Sequence, residues 1–205
     1  VYAKGAMTTM KKTWFRGNIG TDGDALIHFW EGSSKVDDVV ATNNTVSYGF
    51  WTTSATKTEW SNIDLSANQV KYKVFAFSAT DEATLKKSTF DRNTIIEADE
   101  DDNAALYVYK APAIELDEVE FTNNNLTTVI LFGGITVASS VTLEDVSFDG
   151  NPTESDLDIE VESPNTQVTL KCKKGTDFKD AQDDTEDDTN ERISDLIVDI
   201  DGCDA

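Results

Sequence analysis

A nine-residue pattern that recurs along the chain constrains its fold more than any other feature. It reads apolar residue, two variable residues, small or β-branched residue, one variable residue, apolar residue, two variable residues, asparagine. We number the first apolar residue as position zero, so that the asparagine stands at position plus eight. Six copies, separated by 26, 24, 25, 31 and 27 residues, have position zero at Met10, Val36, Trp60, Leu85, Leu116 and Leu143. A repeat of this length is typical of a solenoid, in which each coil stacks on the next.

One copy of the pattern predicts two strands and two turns. The step of three residues between positions zero and plus three breaks the two-residue alternation of a strand, so we expect a bend between them. The asparagine predicts a second turn, because its amide can bond both to the backbone and to the asparagine of the adjacent coil. The predicted asparagine ladder consists of Asn18, Asn44, Asn68, Asn93, Asn124 and Asn151.

A third apolar segment follows each asparagine, for example Val46–Trp51 and Ala104–Tyr109. Three strands and three turns in about 25 residues make one coil of a parallel β-helix. The sequence therefore predicts an all-β fold: one domain over residues 1–205 with about eight coils and three strands per coil. The coils are expected over residues 8–170.

The pattern weakens toward the C-terminus. We place position zero of a seventh and an eighth coil at Leu170 and Ile193, and expect residues 171–205 to cap the stack. This region includes the acidic segment Asp180–Asp188, predicted to be a mobile outward loop. The two cysteines, Cys172 and Cys203, predict one disulfide that contributes about 3–4 kcal/mol, with two free buried thiols as the alternative.

The charge balance restricts the partners. A net charge of −22 disfavours binding to nucleic acid or to an anionic membrane, because phosphates are repelled. Cations, basic proteins and neutral glycans stay compatible, although the charge is mainly expected to keep the stack soluble. No apolar run is long enough to cross a bilayer. The chain opens with Val1 and without a leader sequence, which predicts a processed mature protein or an excised segment.

Four copies end in Phe-x-x-Asn, beginning at Phe15, Phe90, Phe121 and Phe148, and Gly133-Gly134-Ile135 lies in the coil after Asn124. This pairing resembles the repeats of the polymorphic membrane proteins, the autotransporter adhesins of chlamydiae. More broadly, the chain is similar to right-handed parallel β-helices of the pectin-lyase-like class. The resemblance covers residues 8–151, and it implies a right-handed helix with an extracellular, adhesive role.

The same resemblance raises the alternative of a polysaccharide-binding or polysaccharide-cleaving protein, a lyase or a glycoside hydrolase. Such enzymes use carboxylates with Ca²⁺ and a basic residue, or two to three aspartates. The basic candidates Arg16 and Arg92 stand in coils three repeats apart and cannot converge on one substrate atom. The only histidine, His28, has no nucleophile beside it and is predicted to be structural. We therefore assign no catalytic residue and no cofactor-binding residue.

Positions plus one and plus two form the most distinctive outward feature. They are occupied by lysine pairs and by carboxylate pairs in different coils, which predicts salt bridges between neighbouring coils. The alternative is a weak Ca²⁺ site formed by Asp117, Glu118, Glu144 and Asp145. Two sequons, at Asn43 and Asn125, are compatible with glycosylation if the source is eukaryotic.

Aromatic residues cluster in the third segments of successive coils. Alternation places Tyr48 and Phe50 on one face and Trp51 on the other, and it places Tyr107 and Tyr109 together. Those that point outward could hold sugar rings or another protein. The sequence as a whole favours a non-enzymatic, extracellular structural or adhesive module whose partners are other copies of itself, other surface proteins or glycans. Its N-terminal coil near Tyr2–Met10 is the expected docking edge.

Overall fold

Every regular element of the protein is a β-strand, in the part of the chain that the computed structural model describes. These residues are 1–5, 7–20, 23, 25–96, 103–126, 128–133, 139–152, 158–161, 168–172, 181–183 and 196–199. The strands are β1 (Tyr2–Lys4), β2 (Met7–Arg16), β3 (Ala25–Thr42), β4 (Thr45–Ser66), β5 (Gln69–Ser78), β6 (Glu82–Asp91), β7 (Thr94–Ile95), β8 (Ala104–Tyr109), β9 (Ala113–Thr122), β10 (Thr128–Gly133), β11 (Ser139–Glu144), β12 (Ser147–Asp149), β13 (Ile159–Val161), β14 (Val168–Cys172), β15 (Ala181–Asp183) and β16 (Leu196–Asp199).

The strands stack as a parallel β-solenoid, which confirms the predicted fold class. Each pairing is parallel and joins a residue to the equivalent residue one coil later. The position-zero residues therefore form one column, running Met10, Val36, Trp60, Leu85, Leu116, Leu143. Within the described residues, these six copies enclose about five turns, whereas eight coils are predicted for the whole chain.

The C-terminal strands correct the predicted register. Strands β14 and β16 extend the same column, but Leu143 lies beside Cys172, so that Cys172 and not Leu170 occupies position zero. Leu170 lies beside Val141 at position minus two, and Val198 lies beside Leu170. Val198 therefore occupies position minus two, whereas position zero at Ile193 would have placed it at plus five. The copy that contains β14 lacks apolar residues at plus three and plus five, and it lacks the asparagine at plus eight. The sequence pattern therefore could not determine the register of this copy.

The acidic segment is also corrected in part. Ala181–Asp183 form strand β15, which pairs with β13 in the stack and does not project as a loop. The rest of Asp180–Asp188 lies outside the described residues. Cys203 lies outside them as well, so the predicted disulfide with Cys172 stays a prediction.

Left-handed residues form the corners of each coil. One set stands at position plus two, with φ between 49° and 57°: Lys12, Asp38, Asn62, Lys87, Glu118 and Asp145. A second set stands at plus seven, with φ between 51° and 62°: Gly17, Asn43, Ala67, Arg92, Asn123 and Gly150. A third set precedes position zero by five or six residues: Gly5, Glu31, Ser54, Ala79 and Lys110. The corner at plus two lets positions zero and plus three both point inward, as the three-residue step predicts.

The three corners divide each coil into three sides. The first side carries position zero, the second carries plus three and plus five, and the third follows the asparagine. Position zero, plus three and plus five are buried in the central coils, as for Trp60, Ile63 and Leu65. Aromatic rings at plus five stack along the core, with Phe90 and Phe121 4.8 Å apart between ring centroids. Apolar burial of this kind is the main favourable term in folding.

The asparagines at plus eight form a continuous ladder at the corner between the second and third sides. The backbone N–H and the Nδ2 of each asparagine donate to Oδ1 of the asparagine in the next coil, at 2.8–3.1 Å, from Asn18 through Asn151. From Asn44 onward, Nδ2 also donates to the plus-five carbonyl of the preceding coil, at 2.7–3.1 Å. These amides are buried between Asn44 and Asn124 and still satisfied, as buried polar groups must be.

The ladder generates a stability prediction. Asn68→Ala should lower the free energy of unfolding by about 2–4 kcal/mol, because several net hydrogen bonds of about 0.5–1.5 kcal/mol each are lost in a buried place. Asn18→Ala is the matched control, since Asn18 is exposed at the end of the ladder, and it should cost less than about 1 kcal/mol. Chemical denaturation measures both. Equal losses for the two variants would contradict a role for burial in the ladder.

Candidate functional site

Charged side chains form a column on the first side, where position plus one reads Lys11, Asp37, Ser61, Lys86, Asp117 and Glu144 in successive coils. Lys86 Nζ lies 2.9 Å from Glu115 Oε1 and 3.1 Å from Asp117 Oδ2. Hydrogen bonds to these two carboxylates raise the pKa of Lys86 above its usual value. Salt bridges between neighbouring coils are therefore present in this column.

Asp37 lies opposite Lys11 of the preceding coil and accepts hydrogen bonds from neutral donors of the following coil. Ser61 Oγ and Asn62 Nδ2 donate to Asp37 Oδ1 at 3.0 and 2.7 Å. The bonds from Asn62 and then Ser61 lower the pKa of Asp37, because they stabilise its ionised form. From Lys11 to Asp117 the column therefore places positive, negative and neutral side chains in turn, whereas Asp117 and Glu144 at its end are both acidic.

Two of the four residues proposed for Ca²⁺ have lysine partners. Asp117 pairs with Lys86, and Glu118 lies 3.7 Å from Lys87 Nζ. Glu144 follows Asp117 in the column, and Asp145 is an exposed corner residue. Within the described ranges, no three His, Cys, Asp or Glu side chains form a group that could hold a metal ion. Lys86 supplies the positive charge that a bound cation would bring to Asp117.

The basic residues weighed for catalysis lie apart. Arg92 Nε donates to its neighbour Asp91 at 2.6 Å, whereas Arg16 belongs to the first coil. His28 stacks on Trp51 with ring centroids 4.8 Å apart, and its Nε2 lies 3.2 Å from Thr53 Oγ1. Burial lowers the pKa of His28, which favours the neutral ring in this stack.

The third side carries an aromatic groove of about 260 Å³ across the middle coils. Its lining consists of Tyr48, Trp51, Lys73, Ser78, Tyr107 and Tyr109. Tyr107 and Tyr109 stack with centroids 6.1 Å apart, on one face as predicted. Lys73 Nζ lies 4.4 Å from the centroid of Tyr107, a cation–π contact.

The predicted orientation of Tyr48, on the same face of the strand as Phe50, is wrong. Tyr48 does not share a face with Phe50, which is buried in the core; it lies outside with Trp51, at 4.6 Å between ring centroids. The cause is an irregularity in the pairing with the next coil, where Val46 lies opposite Val70 but Tyr48 lies opposite Lys73. Gly49 permits the close approach there, since a Cβ at this position would lie 2.1 Å from the carbonyl oxygen of Val74.

Exposed apolar side chains concentrate in the first coil. Large exposed hydrophobic residues within residues 1–30 are Val1, Tyr2, Met7, Trp14, Ile19 and Trp30. We call this set the N-terminal patch. Met7 and Trp14, at 79% and 68% exposure, point away from the core on the first and second sides. Outside the first coil, the described residues include one further exposed residue of this kind, Ile96.

The two sequons lie at accessible places. Asn43 is an exposed corner residue at plus seven, and Asn125 is exposed directly after the ladder asparagine Asn124. The threonine of the second sequon, Thr127, lies outside the described residues. Both asparagine side chains are accessible to a modifying enzyme, and their use stays a prediction.

Comparison with protein-family models, with characterised proteins and with solved structures gives no significant match. The class that the coordinates define is the parallel β-solenoid. In the part of the chain that the structure describes, no helix is long and apolar enough to span a bilayer.

The charged column yields a prediction with a pH dependence. Lys86→Gln should reduce stability by less than about 1 kcal/mol, because the side chain is partly exposed and screened. Because the pKa of Lys86 is raised in the folded protein, the stabilisation is fully present below about pH 10.4, the pKa of lysine in an unfolded chain. The difference in stability between wild type and variant should vanish as the pH rises through the higher pKa of the folded state. Thermal unfolding from pH 7 upward measures it. Lys87→Gln, which breaks a longer and more exposed pair, is the control and should show a smaller effect.

Proposed function

We propose that the protein is a non-enzymatic, extracellular structural or adhesive module that joins other copies of itself end to end through its N-terminal coil. The coil resembles those of right-handed, pectin-lyase-like β-helices and of the chlamydial adhesin repeats, which supports a scaffolding role. The observation that carries the proposal is the concentration of apolar and basic residues on one terminal coil of an otherwise acidic stack.

The apolar part is the N-terminal patch. An exposed cluster of large hydrophobic residues on one coil marks a contact surface, whereas hydrophobic residues scattered singly need no explanation. Trp14 and Met7 protrude from two sides of the coil, so a partner that covers both must wrap the end of the stack. Tryptophan and methionine are also the residue types that are enriched at protein interfaces.

The charge of this coil is opposite to that of the whole chain. Residues 1–20 contain Lys4, Lys11, Lys12 and Arg16 and no Asp or Glu, in a chain of net charge −22. The remaining chain of a second copy is therefore an electrostatically complementary partner. Within one chain, Lys4 of this coil already pairs with the exposed Glu31 at 3.6 Å.

The backbone offers an edge for such a partner. Among the described strands, β1 and β2 pair only with β3, so their opposite edges present N–H and C=O groups to another parallel strand. Asn18 begins the ladder at this edge, and a docked coil with an asparagine at plus eight would continue it. Since one end docks on a different surface of the next copy, the contact repeats and builds a filament.

The proposal predicts that the protein assembles as its concentration rises, and that carboxylates introduced into the N-terminal patch prevent this assembly. The weight-average mass of the wild type, measured by light scattering, should rise with concentration above the 22.5 kDa monomer and fall back when salt is added. Met7→Glu combined with Trp14→Glu should remain monomeric, because two carboxylates then face the acidic partner.

Ile96→Glu is the matched control, since Ile96 is exposed at 44% but lies outside the N-terminal patch, and it should assemble like the wild type. Circular dichroism checks that all variants keep their strand content. A wild type that is monomeric at every concentration and salt level, or a control that disrupts assembly equally, would exclude the proposal.

A further inference from the structure

Three buried polar atoms in the second and third coils have no hydrogen-bond partner within the described part of the chain. They are Ser34 Oγ, Thr58 Oγ1 and Trp60 Nε1, and each of these residues is at most 5% exposed. Buried hydroxyls and N–H groups are normally hydrogen-bonded, because an unpaired polar group in an apolar interior costs free energy. Something other than the surrounding side chains must therefore satisfy these atoms.

The two hydroxyls belong to one column that faces the interior from the first side. Position minus two reads Thr8, Ser34, Thr58, Ala83, Ile114 and Val141 in successive coils. The column is therefore hydroxylic in the first three coils and apolar in the next three. Thr8 is half-buried on the first coil, whereas Ser34 and Thr58 are buried, so the hydroxyls lead from an accessible position into the core.

The spacing of the coils leaves a gap between the hydroxyls of Ser34 and Thr58. Adjacent strands are about 4.8 Å apart, which is longer than the 2.7–2.8 Å or so of a bond between two hydroxyls. Equivalent hydroxyls that project in the same direction therefore do not reach each other. An oxygen atom beside the midpoint can lie about 2.8 Å from both, because twice that length exceeds the strand spacing.

The indole N–H of Trp60 needs an acceptor, because it can only donate. The rings of Phe29, Phe50 and Phe75 pack against this indole with centroids 4.9–5.7 Å away, and they carry no oxygen or nitrogen. Trp60 stands two residues after Thr58 on the same inward face of the strand. The acceptor is therefore a small polar molecule within the core, on the side that also carries the hydroxyls.

Water meets these requirements. It both donates and accepts, and a buried water typically makes two to four hydrogen bonds to otherwise unsatisfied groups. The neighbours of Thr58 in the column, Ser34 and Ala83, are smaller than Ile114 and Val141, which fill the same position in later coils. The smaller side chains leave room beside Thr58, whereas a larger ligand would have to displace the aromatic rings of the adjacent core.

We propose that water is a bound structural component of the core in the second and third coils. One molecule bridges Ser34 Oγ and Thr58 Oγ1, and the N–H of Trp60 donates to water in the same group. Position minus two carries no hydroxyl from Ala83 to Val141, so the column binds no water in those coils. The site belongs to a single chain and is independent of the proposed self-assembly.

A high-resolution crystal structure of the wild type tests the proposal directly. A water oxygen should lie within about 3.0 Å of both Ser34 Oγ and Thr58 Oγ1, and another or the same water within about 3.2 Å of Trp60 Nε1. The bridging water should persist in Thr58→Ser, the matched control that keeps the hydroxyl. It should be lost in Thr58→Val, which keeps the shape of the side chain without the hydroxyl. A bridging place without water, or a direct bond between the two hydroxyls, would contradict the proposal.

Chemical denaturation gives an independent readout in solution, because the two possible states of the Thr58 hydroxyl predict opposite signs. If water satisfies the hydroxyl, Thr58→Val removes hydrogen bonds and should lower the midpoint of unfolding. If the hydroxyl is unpaired, the same change removes a desolvated polar group and raises the midpoint.

A double variant tests whether the two hydroxyls hold the same water. Ser34→Ala combined with Thr58→Val should lower the midpoint by less than the sum of the two single losses, because the second change removes a water that the first has already released. A raised or unchanged midpoint for Thr58→Val, or losses that are additive in the double variant, would overturn the proposal.

Discussion

The buried asparagine ladder is the interaction on which the rest of the structure depends. A narrow solenoid core consists of apolar residues that could slide past one another by two positions with little loss of burial. The ladder removes that freedom, because a shifted coil would leave buried amides such as Asn68 and Asn93 without partners. The left-handed corner residue directly before each asparagine turns the chain so that the amide faces the interior.

A fixed register turns each outward position into a column with its own chemistry. On the first side the column carries charged side chains of both signs, and Lys86 pairs with two carboxylates of the next coil. On the third side the columns carry aromatic rings, which line a groove together with Lys73 and Ser78. The chemistry of the surface therefore depends on which residues occupy equivalent positions in neighbouring coils, more than on residues that are close in the chain.

The sequence predicted the six copies, their corners and the inward residues, because apolar and asparagine positions are tied to burial and hydrogen bonding. It failed where those signals end. Cys172 took position zero in place of Leu170 because that copy has no asparagine to fix it. Tyr48 lay on the unexpected face because the pairing with the next coil is irregular between Val46 and Tyr48, and the close backbone approach at the neighbouring Gly49 has no periodic signature. The groove and the N-terminal patch depend on side-chain exposure, which spacing alone does not determine.

Amide hydrogen exchange followed by NMR tests the central claim most directly, since it reports on the ladder bonds one by one. The backbone N–H of Asn44, Asn68 and Asn93, each of which donates to the next asparagine, should exchange only through global unfolding, together with their side-chain Nδ2 protons. The side-chain Nδ2 protons of Asn43, an exposed corner residue, should exchange rapidly. Side-chain Nδ2 protons of Asn68 and Asn93 that exchange as fast as those of Asn43 would show that the ladder does not hold the coils in register.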